Sequence, residues 1–251
     1  MLRNGVLGIV FGLGIVGQCA AGLVLTGTSH TENFNSGLPA NWTVRTGATA
    51  SVLGTPVALG SGTWASTTGQ FFSSASVTGL AGNASTAAQA NALDRALSVR
   101  QAAAFGDPGA AFVLEIENTT GFESFSLNLN AELQNNQGRT TTWQVDYGFG
   151  ANPTAFTSIG NLNLGTSFGE TANTLSFGNA LDNFSGPVWI RVVTLTAATG
   201  TGSRDTFGID DFNLNYSITA VPEPSSLALL GLAGCAAWGA AYRRRRRVAR
   251  S

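Results

Sequence analysis

Three features of residues 22–220 predict an all-β fold, a single antiparallel β-sandwich of jelly-roll type. Apolar residues recur at every second position in several runs. Gly, Pro, Asn and Asp cluster between those runs as turn chemistry. The span is close to the size at which all-β sandwiches commonly form one unit.

Along the chain, the first segment with any helical character is 87–101. It is Ala-rich, with Leu93, Leu97 and Arg100 at helical spacing, and reads equally as a short helix or as a strand with its approach loop. Phe112, Leu114 and Ile116 then alternate with polar or smaller residues. In the next run Phe125, Leu127, Leu129, Ala131 and Leu133 face one way, and Ser126, Asn128, Asn130 and Glu132 the other. Trp143, Val145, Tyr147 and Phe149 repeat the pattern against Gln144 and Asp146. Residues 188–195 are apolar at nearly every position but carry Arg191, as in a strand covered on both faces. Phe212, Leu214, Tyr216 and Ile218 close the series. The breaks between runs are Gly106-Asp107-Pro108-Gly109, Gln137-Gly138, Asn152-Pro153 and Gly200-Thr201-Gly202.

Charge is segregated. All 13 basic residues are Arg, and six of them lie in the last nine positions, with Arg3 at the start. Between Glu32 and Asp211, six Arg stand against 13 acids, a net charge of −7. Such a surface repels phosphate, so no nucleic acid is expected as a partner. Cys19 and Cys235 fall inside the terminal apolar segments, so the domain between them has neither disulfide nor thiolate chemistry.

Residues 1–21 combine Arg3, an apolar Gly-rich run over 6–17 and a small-residue exit at Cys19-Ala20-Ala21, the layout of a secretion signal with a short helix and cleavage near Ala21. Gln18 stands where a lipid-attachment box needs a small residue, which argues against lipidation of Cys19. A formal GxGxxG at 12–17 has no strand before it and is set aside as a dinucleotide site.

Residues 221–251 hold the most specific pattern. Val221-Pro222-Glu223-Pro224 leads into an apolar stretch, and Arg243, Arg244, Arg245, Arg246 and Arg247 follow. Residues 225–242 would span about 27 Å as a helix, barely enough for a bilayer core. The arginines behind it would stay cytoplasmic, which places the preceding domain across the membrane. The membrane contact is expected to be transient. This segment closely resembles the PEP-CTERM sorting signal of Gram-negative bacteria, in which a Pro-Glu-Pro motif, a short hydrophobic helix and an Arg cluster occur in this order. The resemblance implies recognition and cleavage by an exosortase and placement at the cell surface or in exopolysaccharide matrix. It covers only the last 30 residues or so.

Over about residues 32–218 the chain is also similar to jelly-roll-like domains carried on bacterial surface proteins. The resemblance rests on Asp94-Arg95-Ala96-Leu97, the 106–112 turn and strand, Trp143-Gln144-Val145-Asp146-Tyr147, and Gly208-Ile209-Asp210-Asp211-Phe212. It implies the fold and no particular activity.

Candidate chemistry is sparse. Gly165-Thr166-Ser167-Phe168-Gly169 matches a nucleophile elbow, but the only histidine, His30, precedes it in the chain. A pair of acids for glycoside hydrolysis is compatible with 13 acids, yet none sits in a recognisable catalytic setting. Alternation breaks at Asp210-Asp211, which predicts one aspartate turned inward, where an unpartnered carboxylate is costly. With Glu32 near the first strand, these aspartates form a candidate site for a structural Ca2+; the competing reading is a polar strand end bonded to loop amides or to Arg191 or Arg204. Trp42, Trp64 and Trp189 are the candidate sugar-stacking residues, with core or loop packing the favoured alternative for each, whereas Trp143 is expected in the core.

Together these observations favour an exported, non-catalytic surface or matrix protein whose sandwich binds or associates with exopolysaccharide. The alternative is a structural or adhesive module for other proteins, with a flat Ser/Thr/Asn-rich surface and no sugar groove. A glycan-active enzyme ranks third.

Overall fold

The computed structural model describes residues 21–220. The Arg3-led signal and the motif and helix assigned to 221–251 lie outside the described residues. Among the described residues, no helix is long and apolar enough to cross a membrane.

In chain order the elements are β1 (Ser29–Glu32), β2 (Trp42–Thr46), β3 (Thr55–Val57), β4 (Leu59–Ser61), β5 (Gln70–Ala75), α1 (Thr86–Asn91), β6 (Arg95–Arg100) and β7 (Ala111–Ile116). They continue as β8 (Phe122–Asn135), β9 (Arg139–Thr140), β10 (Gln144–Phe149), β11 (Thr157–Asn161), β12 (Gly169–Ser176), β13 (Val188–Val193), β14 (Thr199–Gly200) and β15 (Thr206–Ile218). The segment 87–101 resolves into both of its readings. Ser85 caps α1 through its hydroxyl, which accepts from the Ala88 amide, and the chain then extends into β6.

One sheet runs β12-β8-β15-β6-β5-β4, with β1 added alongside β15; the other runs β11-β10-β13-β7-β2-β3. From β6 onward the chain crosses between sheets at almost every connection: β6 to β7 to β8 to β10, then β11 to β12 to β13 to β15. Only the β10–β11 hairpin stays within one sheet. The inner strands of both sheets are antiparallel, and the winding is that of a jelly roll. The edge pair β4–β5 is parallel.

The alternating runs form the shared core. Phe125, Leu127, Leu129 and Ala131 of β8 share one core with Leu114, Ile116, Val145 and Ile190 of the other sheet, and Leu133 is buried at the end of the run. Trp143 stacks on Phe207 with ring centroids 4.2 Å apart, and Phe112 bridges them to Phe71. At the other end Trp42 sits edge-on to both Phe34 and Phe212. Of the last run, Phe212, Leu214 and Tyr216 are buried, while Ile218 is exposed beyond the core.

Each sheet also carries a cover on part of its outer face, which explains the strands that are apolar throughout. Outside β7 and β13, Ala111, Val113, Trp189 and Val193 pack under Ala48, Leu53, Phe156 and Leu195. Outside β5, a flap made of 62–69 and 76–94, which includes α1, builds a small apolar cluster from Trp64, Val77 and Leu80, joined by Phe168 from the loop before β12. These two covers decide the geometry of the candidate sites.

Candidate functional site

The Asp210-Asp211 pair marks a change of neighbour along β15. Up to Ile209 the strand pairs with β6, and from Phe212 it pairs with β1. The register against β8 slips between Asp210 and Asn213, and Asp211 adopts φ 47°, a left-handed conformation that Asp tolerates better than most residues. The Asp210 carboxylate accepts the Asp211 amide at 2.8 Å, which steadies this bulge.

This corrects the inward-facing aspartate. The bulge takes up the broken alternation, so Ile209 and Phe212 both reach the core and neither acid does. Asp210 points to the outer face beside Asn130, and Asp211 is exposed. Glu32 lies opposite Phe212, on the core side of the sheet edge, with its carboxylate 3.4 Å from His30 Nε2. Burial raises the Glu32 pKa and lowers that of His30. Glu32 and Asp211 thus share one shallow recess with Thr31, Asn33, Phe212 and Asn213, while Asp210 belongs to another group. The recess offers two carboxylates and two amides, hard oxygen donors of the kind Ca2+ takes. Among the described residues, no three Asp, Glu, His or Cys side chains converge as a metal site.

Asp210 instead joins Glu132 under the flap. Glu132 is 0% exposed and Asp210 2%. Glu132 accepts hydrogen bonds from the Ser76 hydroxyl, from the Val77 amide at 3.2 Å and from Gln134 Nε2 at 2.7 Å, so it pins the flap to β8. Burial, the dominant cause, pushes its pKa up to about 7 even against these bonds, with a smaller contribution from Glu170. Burial likewise pushes Asp210 up to about 8, helped by Glu132, Asp211 and Asp94. Closed beneath the flap, this carboxyl pair has no access to a substrate. Neither Arg191 nor Arg204 reaches Asp210: Arg191 pairs with Asp146, and Arg204 with Asp107.

The tryptophan assignments are also corrected. Trp42, Trp64 and Trp189 are all buried and offer no stacking platform. Trp42 belongs to the inter-sheet core. Trp64 lies under the flap and donates its indole N–H to the Ala75 carbonyl at 2.7 Å. Trp189 lies beneath the second cover and donates to the Gly150 carbonyl at 2.8 Å, with the Arg45 guanidinium 5.5 Å over its ring. Their loop-like or two-faced context in the sequence reflects the covering layers, which bury aromatic rings outside the sandwich proper.

Arg191 and Asp146 form a buried pair that alternation did not reveal, since Asp146 reads as a solvent-facing position. The pair is doubly bonded, Arg191 Nε to Asp146 Oδ1 and Nη2 to Oδ2, each at 2.7 Å. Arg191 Nη1 also donates to the carbonyls of Thr49 and Val52, and the guanidinium lies over Phe156. Its one advance signal is an Arg inside an otherwise apolar strand. Ser167 sits in the loop before β12, with no helix after it, so the elbow geometry is lacking there.

Beyond Glu132 and Asp210, which the flap covers, the outer face of β12, β8, β15 and β1 carries side chains that are exposed or half-buried. Register aligns Ser176, Ser126, Asn215 and Ser29 in one row across the four strands. Thr174, Asn128, Asn213 and Thr31 form a second row beside it. All eight are exposed or half-buried, and the rows contain hydroxyls and amides without a charge or an aromatic ring.

Several solved structures are similar in fold at low identity. The K1 cleaved adhesin domain of Lys-gingipain from Porphyromonas gingivalis W83 is 11% identical, with TM-score 0.43, covering 75% of this chain and 98% of its own. The CBM22-1 xylan-binding domain of Paenibacillus barcinonensis Xyn10C is 12% identical, with TM-score 0.40, covering 76% and 95%. The Stig cyclase Fisc from Fischerella sp. TAU is 13% identical, with TM-score 0.44, covering 78% and 92%. No curated protein sequence matches the chain. Residues 220–247 match the PEP-CTERM protein-sorting motif, so the chain carries the C-terminal signal of an exosortase-targeted exported protein.

Proposed function

We propose that this chain is a non-catalytic surface or matrix protein, cut by an exosortase and held among exopolysaccharide by its β-sandwich. The reading is carried by the sorting motif, in which Val221-Pro222-Glu223-Pro224, a short apolar stretch and Arg243–Arg247 follow one another. Residues 1–21 would be removed on export, leaving a mature domain over 22–220 outside the inner membrane of a Gram-negative bacterium. Residues 225–242 would hold the precursor in that membrane only until cleavage, with the C-terminus cytoplasmic. Intact mass of protein recovered from the surface of producing cells tests this. The expected chain ends near residues 221–224 without the Arg cluster; recovery with Ser251 still attached would sink the processing step.

The second reading is an adhesive module that contacts other proteins; the flat rows of Ser, Thr and Asn fit it in shape but supply no Trp, Tyr or Arg anchor. Within either reading, the recess of Glu32, Asp211 and Asn213 is a candidate for one structural Ca2+. Equilibrium dialysis of the surface-recovered protein against Ca2+ should then show one bound ion, lost in a Glu32→Gln, Asp211→Asn double variant. Equal uptake by the variant would discard the site.

A further inference from the structure

We infer that the uncovered face of β12, β8, β15 and β1 docks an extended chain of neutral polysaccharide. The inference rests on the matrix-associated reading above and deepens it by naming the surface and the class of glycan.

Strands lie about 4.8 Å apart and same-face residues about 6.8 Å apart along a strand, so the two rows make a strip about 14 Å long and 7 Å wide. That is the footprint of a short stretch of extended sugar chain. Every side chain on the strip is a hydroxyl or an amide, and each such group both donates and accepts. A polyhydroxylated ligand needs both, at close and regular intervals. At the centre, Ser126, Asn213 and Asn215 make no side-chain hydrogen bond among the described residues, and nor do Ser29 and Thr31 on β1. The Asn213 amide oxygen is buried and without a partner. These groups are uncommitted, whereas on the β12 side Thr174 donates to Asn128 and Ser176 accepts from the Gly178 amide, and Asn130, one step further along, is held by Glu170 and Asp211.

The chemistry of the strip also selects among partners. Protein interfaces draw their energy from Trp, Tyr and Arg anchors, and the two rows contain none. Glu170 and Asp211 stand at one end of the strip, on a domain with net charge −7. A polyanionic glycan would be repelled there, whereas a neutral one is not.

The test is native electrophoresis of the surface-recovered protein through gels containing hydroxyethyl cellulose, xylan or alginate. The wild-type protein should be retarded by a neutral glycan. An Asn213→Asp, Asn215→Asp double variant keeps the side-chain shapes but adds two charges, and should weaken that retardation at least tenfold. Asn152→Asp, in the turn between β10 and β11 of the opposite sheet, should leave it unchanged, and matched thermal midpoints would show that all three proteins are folded. If the double variant is retarded like wild type, docking on this face is overturned while glycan association stands. Retardation by alginate alone would overturn the neutral class. No retardation in any gel would remove the matrix-associated reading together with this inference.

Discussion

Replacing Arg191 with alanine should destabilise the domain by about 3–5 kcal/mol, the usual cost of leaving one partner of a buried ion pair alone. Three losses coincide. Asp146 keeps its carboxylate in a buried site where burial already raises its pKa and Arg191 opposes that rise. The carbonyls of Thr49 and Val52 lose their guanidinium donor, so the cover over 47–54 loses its polar tether to β13. Phe156 loses the cation over its ring. Denaturant unfolding of wild type, Arg191→Ala, Asp146→Ala and the double variant forms a cycle that isolates the pair. The double variant should cost far less than the two single losses summed. If Arg191→Ala unfolds within about 1 kcal/mol of wild type, the pair does not anchor this layer.

The second large effect is a loss of stability with rising pH. Glu132 and Asp210 titrate near 7 and 8 in the folded chain, against ordinary values of 4.5 and 3.8. Folding therefore takes up protons between those limits. The stabilisation is complete below the ordinary values and disappears as pH climbs through the folded ones. A tenfold change in proton affinity is worth about 1.4 kcal/mol, and the two sites are coupled, so the total is on the order of 5 kcal/mol. Glu170 from β12, Asp211 from the bulge and Asp94 ahead of β6 face the pair and add repulsion once it ionises. The first element to loosen should be the flap that Glu132 holds through Ser76 and Val77. Denaturation midpoints should fall steadily from about pH 5 to pH 8.5, and Asp210→Asn should flatten that dependence while raising stability at the alkaline end. An unchanged slope in Asp210→Asn would show that the dependence arises elsewhere.

The sorting signal was legible because its recognition is a matter of linear order: Pro222-Glu223-Pro224, an apolar stretch and five arginines act as neighbours along the chain. The sandwich was legible for a related reason. Period-2 burial is a local property, so Phe125 through Leu133, and Phe212 through Tyr216, announce which side faces the core. Even Arg191 stood out within its strand, although nothing in the sequence paired it with Asp146, 45 positions away.

What only the tertiary structure decided are the contacts that chain order leaves open. Alternation assigns a residue to one of two faces but does not say whether a loop later covers the outer one. The covers over 47–54 and over 62–69 with 76–94 therefore buried Trp64 and Trp189, which the sequence offered as candidate sugar contacts without saying what would pack over them. Alternation from Ile209 placed Asp210 on the outer face with Glu132, and the bulge at Asp211 returned Phe212 to the core, because one extra residue on a strand redirects the side chains that follow it. The Ser/Thr/Asn rows likewise exist only once β1, β8, β12 and β15, distant in sequence, are set in register. Periodicity and motif order are written locally; covering layers and cross-strand rows arise when remote segments meet.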